Sequence, residues 1–410
     1  MEILESVFLN KNLCCGCGVC GQLCPTDAIR MNPDQNGFFY PLIDPNKCVD
    51  CGSCSASCSF GRPLQPSRKQ SVYAAKLEDV EERMKSQSGG VFFALAKKIL
   101  SEGGVVYGAG MADDLTVRHM RAETLAELET LRMSKYVQSD MNGIFTKIGE
   151  DLQLNKQVLF SGTPCQIDAF NSFTKNKNID TSNYYSIDLI CFGVASPKLY
   201  DDYLNYTQQR YSKIPLEKFI FRDKLSNGWH GCVEKIIFSK TGENIYYSTI
   251  YANIFFSLVG HRASCFSCPY AKTERCSDIT IGDFWGIEEA IPDFWDETGV
   301  SAIIINTSKG EVLFHDLSGL LVRESNIADC SKKQKCLTGG FDAPRDYDAF
   351  WRDYHRYGFE YVSRKYGKND WRHKVLRKLK YAIKKTLILF FPAQLIYKIK
   401  HGIKKLRRQG

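Results

Sequence analysis

Cys14-Cys15-Gly16-Cys17-Gly18-Val19-Cys20-Gly21-Gln22-Leu23-Cys24-Pro25 is the stretch that decides the N-terminal fold of this 410-residue chain. Its cysteines follow the spacing Cys-x-x-Cys-x-x-Cys-x-x-x-Cys, which returns at Cys48, Cys51, Cys54 and Cys58. Proline follows the first run, whereas Ser59 stands at the corresponding position of the second. Because two-residue spacers let the backbone wrap around a compact inorganic core, the repeated run predicts two metal centres.

The spacing is typical of paired 4Fe-4S clusters, in which the fourth cysteine of each run binds the cluster of the other run. Two tetrahedral zinc sites are the alternative, but a run of three closely spaced cysteines leaves one ligand unused at zinc. Cys15 is interpreted as a packed thiol. The expected ligands are Cys14, Cys17, Cys20 and Cys58 for cluster one, and Cys48, Cys51, Cys54 and Cys24 for cluster two.

Composition separates the folded body from a basic tail. The net charge is +8, but residues 364–410 carry 16 Lys or Arg and one acid, so the remaining chain carries −7. An acidic body would repel phosphates, and we therefore expect no nucleic-acid partner. The acidic N-terminus lacks the pattern of a signal peptide, which leads us to expect a cytoplasmic protein whose cysteines serve metal or redox chemistry.

The chain is expected to be an α+β protein of several domains. A two-cluster ferredoxin-like module should occupy residues 1–66, with a hairpin near residues 36–40 and a linker before residue 70. A mixed α/β flavin and iron–sulfur domain should follow, with an N-terminal flavin-binding part over 70–180 and a C-terminal part with a third cluster over 181–345. A helical basic tail should cover 346–410.

Two loops have the pattern of ligand-binding turns. Ser88-Gly89-Gly90 precedes an apolar helical segment over 91–100, and its backbone N–H groups would suit a pyrophosphate, although an ordinary capped helix uses the same residues. The strand over 157–160 runs into Gly162-Thr163-Pro164-Cys165-Gln166, which has a capping-box pattern. Cys165 is then either a thiolate favoured by the helix dipole or a packed thiol. A shorter glycine segment, residues 108–110, predicts a turn.

A third cysteine group lies further along the chain. Cys265-x-x-Cys268 and Cys276 lack one ligand for a 4Fe-4S cluster. Cys191, at the end of a predicted strand over 184–190, is our candidate for the fourth ligand, and Cys165 is the second candidate. Structural zinc and unligated cysteines remain open alternatives. Alternating segments near 218–222, 233–238 and 244–248 predict an antiparallel meander.

Several stretches taken in order resemble the coenzyme F-420 hydrogenase/dehydrogenase beta-subunit family over residues 70–345. They are Ser88-Gly89-Gly90, Ser134-Lys135-Tyr136, Ser161-Gly162-Thr163-Pro164-Cys165-Gln166, Cys191-Phe192-Gly193-Val194-Ala195-Ser196-Pro197 and Asp278-Ile279-Thr280-Ile281-Gly282-Asp283-Phe284-Trp285-Gly286.

The resemblance implies FAD beside a 4Fe-4S cluster. By the same resemblance, the flavin contacts would be Ser88, Gly89, Gly90, Ser134, Lys135, Tyr136, Gly162, Thr163, Cys165 and Gln166. The nearby cluster would be held by Cys191, Cys265, Cys268 and Cys276. Phe192 stands where many members of the family carry histidine, which puts a proton-transfer role at that position in doubt.

The expected function is a flavin- and 4Fe-4S-dependent oxidoreductase. It would pass single electrons from a low-potential donor, such as ferredoxin or a partner redox subunit, through clusters to FAD and on to a small-molecule substrate. The alternative is a non-catalytic electron-transfer subunit that delivers electrons to a partner enzyme. Lys135 is expected to stabilise the anionic reduced flavin, with a solvated surface lysine as the alternative reading. No catalytic residue is assigned.

The tail combines a helical pattern over 347–366 with an apolar run over 387–397 between basic segments. The run is too short to span a bilayer. It predicts peripheral attachment to the inner face of the membrane, with a solvated or partner-bound tail as the alternative.

Overall fold

The computed structural model describes residues 10–60, 62, 64, 70–239 and 244–373. The N-terminal module contains a hairpin of β1 (Ile29–Pro33) and β2 (Phe39–Ile43) and two short helices, α1 (Val19–Gln22) and α2 (Ser53–Ser57). The two strands are antiparallel, with Pro33 opposite Phe39. The predicted hairpin is therefore confirmed, and its turn contains Gly37 at a φ of 83°.

Within the described residues, a mixed sheet of eight strands organises the large domain. Its strands are β3 (Ser71–Leu77), β4 (Val105–Met111), β5 (Val117–Ala122), β6 (Val158–Gly162), β7 (Tyr184–Leu189), β11 (Ile279–Asp283), β12 (Ser301–Ile305) and β13 (Leu320–Ser325). They are arranged in the order β13-β3-β12-β11-β7-β6-β4-β5. Strands from both predicted parts of the domain, 70–180 and 181–345, thus join one sheet. A smaller antiparallel sheet contains β8 (Lys218–Ile220), β9 (Glu234–Ile237) and β10 (Ile245–Ser248).

Helices cover both faces of the large sheet and link it to the small one. In chain order they are α3 (Val80–Met84), α4 (Val91–Ser101), α5 (Leu125–Leu131), α6 (Ile144–Gln153), α7 (Pro164–Lys177), α8 (Pro197–Tyr211), α9 (Lys224–Asn227), α10 (Ile250–Phe256), α11 (Ile287–Ala290), α12 (Ser308–His315), α13 (Ile327–Ser331) and α14 (Tyr347–Lys365). Short 3-10 helices lie at Lys11–Leu13, Ala263–Ser267 and Lys335–Leu337.

The strand directions determine which loops meet at the carboxyl ends of the strands. Strands β4, β6, β7 and β11 are parallel to one another. Strand β3 runs the same way, because β12 is antiparallel to both β3 and β11. The loops that follow these strands therefore meet at one edge, where α/β sheets commonly bind ligands.

Alternating side chains along the strands divide the core into two layers. Val106 and Leu159 pack with α4 and α12 on one face, whereas Val105 and Phe160 pack with α6 and α7 on the other. Val19 of the N-terminal module packs in this second layer. A strand alternates its side chains between faces, so both faces of a central sheet must be apolar.

The module is also hydrogen-bonded to the large domain. The Gln22 side chain donates to the Met141 carbonyl at 3.1 Å and accepts from the Phe145 N–H at 2.9 Å. Ser172 in α7 donates to the Ser57 carbonyl at 2.7 Å. The two cysteine runs are therefore held against helices α6 and α7.

The local predictions have mixed outcomes. The helix after Ser88-Gly89-Gly90 and the meander near 218–248 are confirmed. The turn predicted at residues 108–110 was wrong, because these residues lie inside β4 and pair with β5. Neither glycine there needs a positive φ, so nothing forces a turn. Most of the linker before residue 70 and the basic and apolar segments over 374–410 lie outside the described residues. Within the described part, no helix is long and apolar enough to cross a membrane.

Replacing Ile303 by alanine should destabilise the large domain. Ile303 is 0% exposed and lies in β12, between Ile281 of β11 and Tyr73 of β3. The resulting cavity should lower the free energy of unfolding by about 2–5 kcal/mol, measured by chemical denaturation. Val312, which is 72% exposed, provides the control, because Val312→Ala should change the free energy of unfolding by less than about 0.5 kcal/mol. Equal losses in the two variants would contradict the described sheet order.

Candidate functional site

The first cysteine quartet is assembled from both runs. Burial raises the pKa of the Cys20 thiol well above its ordinary value, and the neighbouring Cys17, Cys14 and Cys58 raise it further. These four side chains therefore lie together, as predicted for the ligands of cluster one. The loop can turn this tightly because Gly16 and Gly18 have positive φ values of 73° and 75°.

The second quartet lines one small cavity at the other end of the module. The cavity is formed by Cys24, Cys48, Cys51 and Cys54 together with apolar residues that include Ile29 and Ile43. Gly52, at a φ of 71°, begins helix α2 between the last two of these cysteines. The four side chains predicted for cluster two are thus brought to a single space.

The donor chemistry of both quartets fits a 4Fe-4S cluster. Backbone N–H groups point at the thiol sulfurs, from Gly16 to Cys14 Sγ at 3.4 Å and from Ala28 to Cys24 Sγ at 3.3 Å. Hydrogen bonds of this kind stabilise cluster-bound thiolates. Across the described residues, no three His, Cys, Asp or Glu side chains form a site for a single metal ion.

A third group of cysteines lies between the first quartet and the large sheet. Burial raises the pKa of the Cys191 thiol, and the charges of Cys265, Cys165 and Cys268 raise it further. Burial also raises the pKa of the Cys265 thiol, and Cys268 and Cys165 add to this increase. Four thiols, from Cys165, Cys191, Cys265 and Cys268, therefore surround one region. The Gly193 N–H also points at Cys191 Sγ, at 3.4 Å.

Cys276 occupies a different position from these four. Its thiol donates to the Pro164 carbonyl at 3.3 Å. Burial is the largest cause of its raised pKa, and the charges of Asp188 and Asp168 come next. Cys165 is the one cysteine among the main groups that affect this pKa. Cys276 thus lies beside the group, on the side of the buried Arg275–Asp188 ion pair.

Cys15 connects the module to the third group. The side chains of Cys165 and Cys17, together with burial, raise the pKa of its thiol well above the ordinary value. The interaction with Cys15 correspondingly lowers the pKa of Cys165 and of Cys17. The thiol that sequence reasoning left without a role therefore lies at the contact between two cysteine groups.

A cavity of about 350 Å³ opens at the central edge of the large sheet, next to the third group. Its size is within the range of small-molecule and cofactor sites. Of the ten residues predicted to contact a flavin, eight line it: Ser88, Gly90, Ser134, Lys135, Tyr136, Gly162, Thr163 and Gln166. Gly89 is not among the lining residues, because it packs against the Ala75 carbonyl and Ser301. Cys165 faces the cysteines instead, whereas Cys191 lines the cavity and also belongs to the third group.

The N-terminus of helix α4 lies in the wall of this cavity. Its N-cap residue is Gly90, at a φ of 91°, and no side chain caps the helix. The alternative of an ordinary side-chain cap is therefore not observed. Uncapped backbone N–H groups and the helix dipole favour a bound anion, which fits the pyrophosphate of FAD.

A buried polar network supports the opposite wall. His119 contacts the Ser161 carbonyl at 3.2 Å and Ser139 Oγ at 2.9 Å, and burial lowers its pKa to about 4. Gln166 donates to Ser139 Oγ at 3.1 Å and accepts from the Thr163 N–H at 2.9 Å. Sequence reasoning missed His119, since a lone histidine in a strand has no motif.

Two cationic side chains that line the cavity, Arg222 and Lys135, differ in their hydrogen-bond partners. Arg222 pairs with Asp283 at 2.8 Å, whereas Lys135 donates to the Thr130 and Arg132 carbonyls at 3.0 and 2.5 Å. Loss of hydration lowers the pKa of Lys135 to about 7. Among the described residues, no carboxylate forms an ion pair with Lys135. Sequence reasoning also missed Arg222, because this residue lies in a loop and belongs to no motif with a recognisable spacing.

A buried lysine fixes the loop before α4. Lys224, which is 0% exposed, donates to the carbonyls of Arg83, Ser86 and Ser88 at 2.7–2.8 Å. Burial lowers its pKa to about 7. The loop that forms one wall of the cavity is therefore held by a residue far along the chain.

Comparison with known proteins agrees with this arrangement. Residues 155–324 match the C terminus of the beta subunit of coenzyme F420 hydrogenase/dehydrogenase. Residues 13–62 match the 4Fe-4S dicluster domain. Residues 155–324 thus carry the C-terminal domain of this family, and residues 13–62 carry a 4Fe-4S dicluster domain. For this N-terminal domain the zinc alternative is therefore wrong.

The curated relatives match short stretches of this chain. A 7Fe ferredoxin of Hydrogenibacillus schlegelii is 46% identical over 39 residues, which cover 10% of this chain and 44% of the relative. One component of the Na⁺-translocating ferredoxin:NAD⁺ oxidoreductase complex of Acetobacterium woodii is 42% identical over 45 residues, covering 11% and 12%. The chain thus spans less than half the length of these two relatives.

A solved structure of the F420-reducing [NiFe] hydrogenase complex of Methanosarcina barkeri also matches. The alignment covers 68% of this chain and 97% of the matched chain, at 16% identity and a TM-score of 0.45.

Proposed function

We propose that this chain is an iron–sulfur flavoprotein oxidoreductase. It takes single electrons from a low-potential donor and uses them, through 4Fe-4S clusters and FAD, to reduce a small two-electron substrate. When bound, the clusters supply one-electron transfer and the flavin exchanges single electrons for a hydride.

One observation carries this proposal: the cysteine groups form a continuous series that ends at the cavity. Cys17 of the first quartet and Cys165 of the third group both interact with Cys15. Cys191 belongs to the third group and lines the cavity. A series of redox sites that ends at a cavity is the arrangement that a flavin enzyme needs.

The residues of the cavity support FAD as the cofactor. The uncapped N-terminus of α4 can accept the pyrophosphate, and Lys135 offers a cation with no carboxylate partner in the described part of the chain. Loss of hydration lowers the pKa of Lys135. A negative charge on the flavin ring would raise this pKa again and so keep Lys135 protonated.

For the third cluster we propose Cys165, Cys191, Cys265 and Cys268 as ligands. The resemblance implied Cys276 in place of Cys165, but the close charge interactions join Cys165 to the other three. Helix α7 also begins at Pro164, so its dipole favours a thiolate at Cys165.

Anaerobically purified protein should contain about 12 iron atoms and one FAD per chain, from three 4Fe-4S clusters. After reduction by dithionite, the flavin absorbance should recover when a hydride acceptor is added, and NAD⁺, NADP⁺ and coenzyme F420 are suitable acceptors to try first. Protein with full cofactors that is reoxidised only by a redox protein would favour an electron-transfer subunit. Protein without flavin would refute the proposed function.

Cys165→Ser should remove about four iron atoms per chain and leave the other clusters intact, because it deletes one ligand of the third cluster. Cys276→Ser should retain all the iron. Cys330→Ala is the control, since Cys330 is 0% exposed and packs among apolar residues away from the cysteine groups. Iron analysis of the three variants measures the outcome. Loss of iron in Cys276→Ser alone would restore the assignment of Cys276 as the ligand.

Lys135→Met should weaken FAD binding about tenfold, through loss of one charged hydrogen bond, while the iron content stays unchanged. The protonated Lys135 side chain attracts the anionic cofactor. Without FAD, this protonated form is lost as the pH rises through about 7. Affinity of the flavin-depleted wild type should therefore fall between pH 6 and pH 8.5, and that of the variant should change less. Fluorescence titration with FAD measures both.

Lys147→Met is the matched control, because Lys147 is an exposed lysine of α6. It should bind FAD like the wild type. Equal affinity of the Lys135 and Lys147 variants at every pH would remove Lys135 from the site.

A further inference from the structure

Arg262 is a fully buried cation without a carboxylate partner in the described part of the chain. It is 0% exposed. Its guanidinium donates to the carbonyls of Cys14 and Phe39 at 2.8 and 2.9 Å and to Gln138 Oε1 at 3.2 Å. All three acceptors are neutral, so none of them balances the positive charge.

An isolated buried charge is costly, and proteins therefore pair such charges. Two other buried arginines of this chain follow the rule: Arg275 pairs with Asp188 at 3.1 Å and Arg222 with Asp283 at 2.8 Å. For Arg262, the main groups that act on its charge are Cys14, Tyr40, Cys15 and Cys265. Three of these four are cysteines, and cysteines carry negative charge when they bind a cluster.

The position of Arg262 is equally specific. It directly precedes the 3-10 helix Ala263–Ser267, which carries Cys265 of the third group. On its other side it touches the loop of the first quartet so closely that a Cβ at Gly16 would lie 2.9 Å from Nη1. The ring of Tyr40 covers the guanidinium at 4.1 Å. Arg262 is thus fixed between two cysteine groups, one from each domain.

We propose that Arg262 supplies the positive charge that compensates cluster one and the third cluster together, and that it raises the reduction potentials of both. The inference rests on the proposed function. Each one-electron reduction adds one negative charge to a cluster, the electron coming from the low-potential donor, and no proton is taken up. A fixed cation stabilises the reduced form, and arginine keeps its charge at every physiological pH.

The test is a redox titration of the anaerobic full-length protein, reduced stepwise with dithionite and monitored by electron paramagnetic resonance. In Arg262→Gln, two of the three midpoint potentials should shift to more negative values. The third, that of cluster two, should change least, because its cysteines are not among the main groups that act on the charge of Arg262. Two unchanged potentials with full iron content would overturn the proposal.

Arg62→Gln is the matched control. Arg62 also lies near a ligand of the first quartet, Cys58, but it is exposed and donates to the carbonyls of Ser55 and Ala56. Solvent screens its charge, so its removal should shift cluster one less than removal of Arg262. A shift of equal size in both variants would show that burial gives Arg262 no special role.

Arg262→Lys decides the case in which Arg262→Gln loses iron. It keeps the charge and loses the forked hydrogen bonds, so it should retain both clusters with potentials near those of the wild type. Loss of both clusters in the lysine variant as well would overturn the proposal, because the hydrogen bonds and not the charge would then matter. Failure of the proposed function is separate, since it appears as missing clusters or missing flavin in the wild type.

Discussion

The contact between the N-terminal module and the first turn of α7 is the constraint on which the site depends. A redox series works only when its members are close, and here Cys15 interacts with a cysteine on each side of the domain boundary. The hydrogen bonds of Gln22 and Ser172 and the packing of Val19 against the sheet hold this contact. Without it, the module would be an independent ferredoxin beside an isolated cavity.

The topology of the large sheet explains why distant segments meet at the cavity. Five strands run in one direction, so the residues after β6, β7 and β11 emerge at the same edge. Gly162, Cys191 and Asp283 reach the cavity in this way. Asp283 then fixes its neighbours, since it accepts hydrogen bonds from Arg222 at 2.8 Å and from the Trp229 ring nitrogen at 2.6 Å.

Sequence reasoning predicted what local spacing encodes. The cysteine runs, the hairpin, the helix after Ser88-Gly89-Gly90 and the eight flavin-loop residues at the cavity all depend on short motifs whose geometry the nearby chain determines. Residues that act through tertiary position could not be found in this way. Arg262 has no motif around it, and its importance comes from the loss of water around its charge. The same holds for His119 and Lys224, whose roles depend on partners 20 to 141 positions away.

The aromatic wall of the cavity gives these charges their strength. Phe192 packs on Phe341 at 4.5 Å and on Phe256 at 5.5 Å, and Tyr136 stacks on Phe255 at 4.6 Å. These rings give the cavity an apolar wall, and charges interact more strongly in apolar surroundings than in water. Phe192 places an apolar ring in this wall. The electrostatics of the site then depend on two cations, the titratable Lys135 at the cavity and the permanently charged Arg262 beside the cysteines.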